Sequence, residues 1–497
     1  VAELISLDGL KGPSSSKAMR AELGKDGCAA GACGAPGGAG AMPAEIWEKV
    51  KDHPCYAEEA HRYFARMHVA VAPACNMQCH YCNRKFDCAN ESRPGVVSER
   101  LRPEEAARKV VAVANAVPQL SVLGIAGPGD ACYDWARTKA TFEAVREAIP
   151  DLTLCLSTNG LALPERVEEI AALGIDHVTI TINMIEPEVG ARIYPWIFHQ
   201  HRRWEGVEAS RILHERQMLG LRMLVERSVL VKVNSVMIPG VNDAHLLEVG
   251  AAMKEAGAFL HNVMPLISDP AHGTHFGLTG QRGPRPMELK ALQDRLGEGA
   301  RLMRHCRQCR ADAVGILGED RGQEFTLGKL PDEAAYDPAG RAEYREVVVR
   351  ERGELAVSRR KAEAQLRRIE AAPSRLVAVA SRGGGRINQH FGHATEFLVF
   401  EVSAKGVGFV GARRVESYCK GGFGEAEALE GAIAALEGVA VVLVAKIGEA
   451  PKKKLAAAGI TASEAHAYEW IEAGIAGWYA AAFTTTSETG RSTLKAG

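Results

Sequence analysis

Short β-branched apolar runs and helix-patterned stretches alternate along the middle of the chain. The runs are RMHVAVAP (66–73), LSVLGIAG (120–127), LTLCLST (152–158), DHVTITIN (176–183), VLVKVNSVMI (229–238) and AFLHNVMPLI (258–267). Between them, PEEAARKVVAVANAV (103–117), LPERVEEIAALG (163–174) and DAHLLEVGAAMKEAG (243–257) repeat apolar residues at three- and four-residue spacing. This beat predicts an α/β fold with a parallel sheet, a partial (β/α)6 barrel, with an open doubly wound sheet as the alternative. The unusual residues gather just after the strands. CNMQCHYC (75–82) follows the first, GPGD (127–130) ends the second and STNG (157–160) ends the third. Asn183 and Asn234 lie near the ends of the fourth and fifth. Parallel α/β folds build active sites at such carboxyl ends.

Outside this block the pattern changes. Residues 1–44 form a Gly/Ala-rich lead containing Cys28 and Cys33, read as flexible with plain thiols. Residues 45–325 are the barrel, and 326–373 are a charged helical linker. Residues 374–497 form a smaller α/β unit with strands expected at 375–381, 396–402, 407–415 and 439–447. A chain of 497 residues with 46% hydrophobic and 24% charged content fits several soluble domains. The net charge of −1 argues against a nucleic-acid or membrane partner. No stretch approaches the roughly 18 apolar residues of a membrane span, and VAELISLDGLKG lacks a signal-like apolar core. A reducing cytoplasm is therefore expected, where twelve cysteines serve as metal ligands or thiols rather than disulfides.

Cys75, Cys79 and Cys82 are spaced C-x3-C-x2-C. A cubane [4Fe–4S] cluster takes one thiolate per iron, so three leave one iron open. An open iron can chelate a small ligand through nitrogen and oxygen. The spacing, with Tyr81 before the third cysteine, resembles the radical S-adenosylmethionine (SAM) signature, and implies a TIM-like radical SAM barrel. There the open iron binds the amino and carboxylate groups of SAM, and one electron releases a 5′-deoxyadenosyl radical. GPGD resembles the glycine-rich SAM element: Gly127 and Gly129 allow close approach, and Asp130 offers an acceptor to the ammonium. Ser157, Thr158 and Asn159, with Asn183 and Asn234, are candidates for the remaining SAM contacts. A zinc site from the C-x2-C pairs Cys79/Cys82 and Cys306/Cys309 is the competing reading. It leaves Cys75 unexplained.

Further ligand-type residues surround the motif: Cys55, His68, Cys88, Cys132, Cys306 and Cys309. Singly, each reads as core. Together they suggest sites for more iron–sulfur clusters near one rim. Cys155, inside apolar LTLCLST, reads as core, and His53 and His61 as structural. The segment from HPCYAEEAH through CANESRPGVVS, followed by GIAGPGD, STNG, VKVNSVMIPGVND and CRQCRADAVG, resembles the NifB family of nitrogenase cofactor maturases over about residues 45–320. That resemblance implies fusion of two [4Fe–4S] clusters into an eight-iron core around a carbide taken from a SAM methyl group. It implies that Cys75, Cys79 and Cys82 hold the radical SAM cluster. His68, Cys88 and Cys132 would hold one precursor, and Cys55, Cys306 and Cys309 the other, with Glu91 a contact or proton acceptor. Implied partners are an iron–sulfur donor, downstream scaffold or carrier proteins and an external one-electron reductant. VAVASRGGGRINQHFGHATEFLVFEV resembles NifX-type carrier domains with a ribonuclease-H-like fold. His390, His393 and Cys419 are its candidate cluster contacts. Other classes stay open: a different radical SAM enzyme with auxiliary clusters, or a non-catalytic iron–sulfur scaffold.

Overall fold

The computed structural model describes residues 42–83, 97, 99–331, 335–369, 372–420, 423–424 and 426–491. Cys28, Cys33, Cys88 and Glu91 lie outside them. Six parallel strands form the main sheet: β1 (Ala65–Ala72), β2 (Leu120–Pro128), β3 (Thr153–Thr158), β4 (His177–Thr181), β5 (Leu230–Met237) and β6 (Leu260–Pro265). A short strand, β7 (Val314–Ile316), adds antiparallel to β1. The sheet order is β7-β1-β2-β3-β4-β5-β6. The strands follow chain order without reversal, so this is the open half-barrel and not the doubly wound sheet.

The strands are two-faced. Met67, Val69, Leu123, Ile125, Leu154, Leu156, Val178, Ile180, Val231 and Val233 join one apolar core with helices Pro103–Ala116 and Trp135–Ala148. Strand alternation sends the intervening residues to the concave side. Those are Arg66, His68, Cys155, Ser157, His177, Thr179, Lys232 and Asn234. The segment before β1 closes the amino-terminal end of this concavity. Tyr56 donates its hydroxyl to the Leu230 carbonyl at 3.2 Å. The rings of His53 and His177 meet at a tilt, with centroids 4.5 Å apart.

The second sheet contains β8 (Arg375–Val379), β9 (Glu396–Ser403), β10 (Gly406–Arg414), β11 (Val439–Leu443) and β12 (Thr461–Ser463). Its order is β10-β9-β8-β11-β12, with β9 antiparallel to both neighbours. This is the mixed ribonuclease-H-like arrangement. The charged linker forms a helix, Ala339–Leu366, that serves both units. Its Val348 packs with Tyr63 and Phe64 beside the barrel, and Ala362 and Leu366 pack under the second sheet. It is a strut.

A buried ion network ties the units. Glu472, on the terminal helix Ile471–Arg491, meets Arg62 at 2.7 Å and Arg359 of the strut at 2.9 Å. Arg359 also reaches Glu59 at 2.7 Å. Burial opposes ionisation of Glu472, but Arg62 and Arg359 overcome it and hold the carboxyl at about 2. Its folded value is depressed from 4.5, so its stabilisation is in place above about pH 4.5 and is lost as pH falls toward 2. Glu472→Ala leaves buried Arg62 with its next carboxylate, Glu58, at 3.9 Å, and Arg359 with Glu59 alone. We expect a loss of about 3–5 kcal/mol in denaturant unfolding and faster proteolysis around the strut. Unchanged midpoints would show that the network does not hold the units together.

Candidate active site

The first cysteine loop leaves β1 at the rim. It is pinned by the two-residue strand Met77–Gln78, which pairs with Trp196–His199. The Gln78 amide donates to the carbonyls of Cys79 and Cys82 at 2.9 and 2.8 Å, and Cys82 N–H donates to Cys79 O at 3.1 Å. Cys79 is buried, while Cys75 and Cys82 are half-buried. Asn159 Nδ2 donates to Asn76 Oδ1 at 2.8 Å and lies 3.8 Å from Cys75 Sγ. Beneath Cys79, Asn183 donates to the hydroxyls of Tyr81 and Tyr194 at 2.9 and 2.8 Å, and accepts from Val236 N–H at 2.6 Å. Burial, then the Cys79 sulfur, pushes Tyr81 well above its usual range, so the phenol stays protonated. Asn183, expected as a SAM contact, therefore braces the floor of the cysteine loop. Asn234 accepts from Asn262 at 2.9 Å on the concave side.

GPGD touches the same loop. Gly129 N–H donates to Ala72 O and Asp130 N–H to Ala74 O, both at 2.7 Å. A Cβ on Gly129 would lie 2.2 Å from Ala74 O, so the close approach requires glycine. Asp130 corrects the sequence expectation. It is fully buried, and its carboxylate accepts from Asn159 N–H (2.6 Å), Tyr133 N–H (3.0 Å), Cys132 N–H (3.1 Å) and the Thr158 hydroxyl. It knots the ends of β2 and β3 together and offers no acceptor to an ammonium. Thr158 is spent on that knot, whereas Ser157 faces the concavity. Cys132 is a second correction. It sits in the outer apolar core with Ala131 and Trp135. Burial, then Asp130, pushes its thiol well above the ordinary range. Its place in the outer core sets it on the side of the sheet away from His68 and Cys155.

The concave face supplies a better candidate. Gly124 pairs with His68 on one side and Cys155 on the other. A Cβ on Gly124 would lie 2.6 Å from the His68 ring, so the imidazole lies over the glycine, with Cys155 paired to the far side of the same glycine. His68 Nδ1 lies 3.0 Å from Arg310 O. A carbonyl only accepts, so Nδ1 carries the proton and Nε2 the lone pair, the tautomer a metal ligand needs. Cys155, read from sequence as core, stands beside a ligand-ready histidine. Period-two alternation in LTLCLST, Leu154 and Leu156 outward and Cys155 and Ser157 inward, is the signal that reveals it.

Cys55, Cys306 and Cys309 come together against Ile46, Tyr56, Phe259 and Met303. Cys306 also packs in the apolar cluster that holds Cys75, Cys79 and Cys82, and Gln308 donates to Pro265 O at 3.0 Å, so this loop runs from the closed end toward the rim. His305 Nε2 donates to Pro54 O at 3.0 Å, tying the Cys306 loop to the Cys55 segment. Arg66 donates to Cys309 Sγ at 3.1 Å. Burial pushes the Cys306 thiol up, and Gln308 N–H, Lys232 and Asn262 pull against it. The second sheet grips the same loop: Glu396 pairs with buried Arg307 at 3.1 Å, and Arg414 donates to Arg307 O at 2.5 Å. His53 and His61, expected to be structural, are both buried in this segment. His53 Nδ1 accepts from Cys55 N–H, and His61 stacks on His305 at 5.1 Å.

Three thiols on a hydrogen-bonded loop, over a buried tyrosine floor and against a glycine cradle, fit a three-cysteine iron–sulfur cluster with one open iron. Residues 69–251 match the radical SAM superfamily, and residues 374–481 the family described as dinitrogenase iron-molybdenum cofactor. Fold, loop and match define a radical SAM protein. The FeMo cofactor biosynthesis protein NifB of Sinorhizobium fredii (strain NBRC 101917 / NGR234) is 63% identical over 97% of this chain and 98% of its own. NifB of Rhodobacter capsulatus is 64% identical over 88% of this chain and 97% of its own. The chain belongs to the NifB family of FeMo cofactor biosynthesis proteins. Among the described residues, no helix is long and apolar enough to cross a membrane.

Lys232→Met removes a cation that favours the Cys306 thiolate. In the iron-free protein, Cys306 should then be alkylated several-fold more slowly at fixed pH, with Cys419 unchanged, by mass spectrometry. An unaltered Cys306 rate would mean the ammonium does not reach that thiol.

Proposed function

We propose that this chain builds the eight-iron, carbide-centred precursor of the nitrogenase iron-molybdenum cofactor from two [4Fe–4S] clusters bound as substrates. Cys75, Cys79 and Cys82 would hold the resident cluster, which would supply the electron for reductive cleavage of SAM. Gln78 and the Tyr81–Asn183–Tyr194 floor fix the thiol-bearing loop. Asn159, Ser157 and Asn234 are the polar groups at hand for SAM.

His68, Cys155 and Cys88 are assigned to one substrate cluster, and Cys55, Cys306 and Cys309 to the other. Glu91 remains the proposed contact or proton acceptor beside the first. One observation carries the pairing of the two sites. The loop 305–310 offers Cys306 and Cys309 to one set, while the carbonyl of Arg310 sets the tautomer of His68 in the other. A single rigid loop therefore fixes both substrates relative to each other, which fusion requires. The second sheet, which grips this loop, is the proposed holder of the product. An iron–sulfur donor, a downstream carrier and an external one-electron reductant complete the reaction, and a cytoplasmic setting suits its oxygen-sensitive clusters.

The test is anaerobic. Reconstituted protein given dithionite and SAM should form 5′-deoxyadenosine and S-adenosylhomocysteine together. Cys79→Ala should lose the deoxyadenosine. Cys306→Ala should keep SAM cleavage but form no eight-iron product. Product from Cys306→Ala would remove that residue from the assignment, and deoxyadenosine without S-adenosylhomocysteine would place the chain among radical enzymes that transfer no methyl group.

A further inference from the structure

The second sheet carries a cluster of ligand-type side chains that the radical chemistry does not use. His390 caps and His393 ends a single 3-10 turn, Phe391–His393, and their rings lie 4.9 Å apart. Cys419 begins a small hairpin laid over the same turn. The turn is firmly placed. Phe391 is buried, its N–H donates to Lys446 O at 2.9 Å, and Ala445 N–H donates to Gln389 O at 3.0 Å. The Ser417 hydroxyl donates to Gly392 O at 2.9 Å, which fixes the hairpin to the turn. A Cβ on Gly392 would lie 2.3 Å from Cys419 Sγ, so only glycine lets the thiol lie against this turn.

We propose that His390, His393 and Cys419 form a binding site for one thiophilic divalent metal ion, Fe2+ or Zn2+ in character. One ligand atom from each lies within 4.8 Å of the other two. Ligand atoms around one tetrahedral ion stand about 3.3–3.6 Å apart, a closure that side-chain rotation supplies. Protein ligands on different irons of a cubane stand about 6 Å apart, so this geometry fits an ion and not three corners of a cluster. Two imidazoles and a thiolate suit a borderline ion. His390 is half-buried, and burial, then His393 and Lys446, keeps its imidazole below its ordinary value and neutral. Lys446, Arg382 and Glu464 are the charged groups around it. Its Nδ1 accepts from Gly392 N–H at 2.9 Å, so ligation exchanges that hydrogen bond for the metal bond. His393 is exposed, which leaves the fourth position to solvent and makes the ion exchangeable. The site does not depend on the carbide reading.

The probe is Zn2+ added anaerobically to the full chain after iron–sulfur loading, so that the barrel thiols are already occupied. After desalting, one zinc per chain should remain, with one sulfur and two imidazole nitrogens in its X-ray absorption spectrum. Cys419→Ser and His393→Gln should each weaken zinc retention by more than tenfold, with iron content and SAM cleavage unchanged. No retained zinc, or equal retention in both variants, overturns the proposal. So does iron bound there together with an equal amount of sulfide, which would make the site a cluster site.

Discussion

Parallel strands covered on both faces are ordinarily apolar on both. Here one face is apolar and the other carries imidazole, thiol, ammonium and amide groups, although every position of β1 and β5 is buried. That asymmetry governs the rest. The outer face supplies folding free energy through one continuous core. The inner face stands away from bulk water yet rich in ligands and donors. A thiolate or an anionic cluster is costly in such a place unless charge and hydrogen bonds meet it. Arg66 at Cys309, and Lys232, Asn262 and Gln308 N–H at Cys306, supply that compensation.

The second sheet is part of this arrangement rather than an appendage. Its Glu396 and Arg414 hold the backbone and side chain of Arg307, between two proposed cluster ligands. The strut helix and the Arg62–Glu472–Arg359 network fix that sheet against the barrel. A change at the interface therefore reaches the ligand loop through few bonds, and the Arg62–Glu472–Arg359 part of that path is buried and charged, where loss of one partner is expensive.

Much of the fold was legible because long strands with helices between them leave a regular trace. The six barrel strands and the four long strands of the second sheet fall where the apolar rhythm puts them, and the strut falls in the charged, helix-prone linker. The three-residue β7 and the hairpin Trp196–His199/Arg202–Glu205 are too short to leave one. The site was legible in membership and less so in depth. Asp130 and Cys132 follow a glycine turn in the chain, which suggested the rim, but the backbone there turns outward into helix Trp135–Ala148 and carries both inward to the core. Cys155 was hidden by apolar neighbours that point the other way. Contacts such as Glu396 with Arg307 join residues far apart in sequence, and no local pattern announces them.

The claim that the concave face gathers the ligands is tested most directly by counting iron. In anaerobically reconstituted protein, about twelve irons per chain are expected for the unaltered chain and for Cys132→Ala, whose thiol lies in the outer core. Cys155→Ala, on the inner face beside His68, should fall to about eight with the radical SAM cluster's spectrum retained. Full iron in Cys155→Ala together with loss in Cys132→Ala would contradict the account.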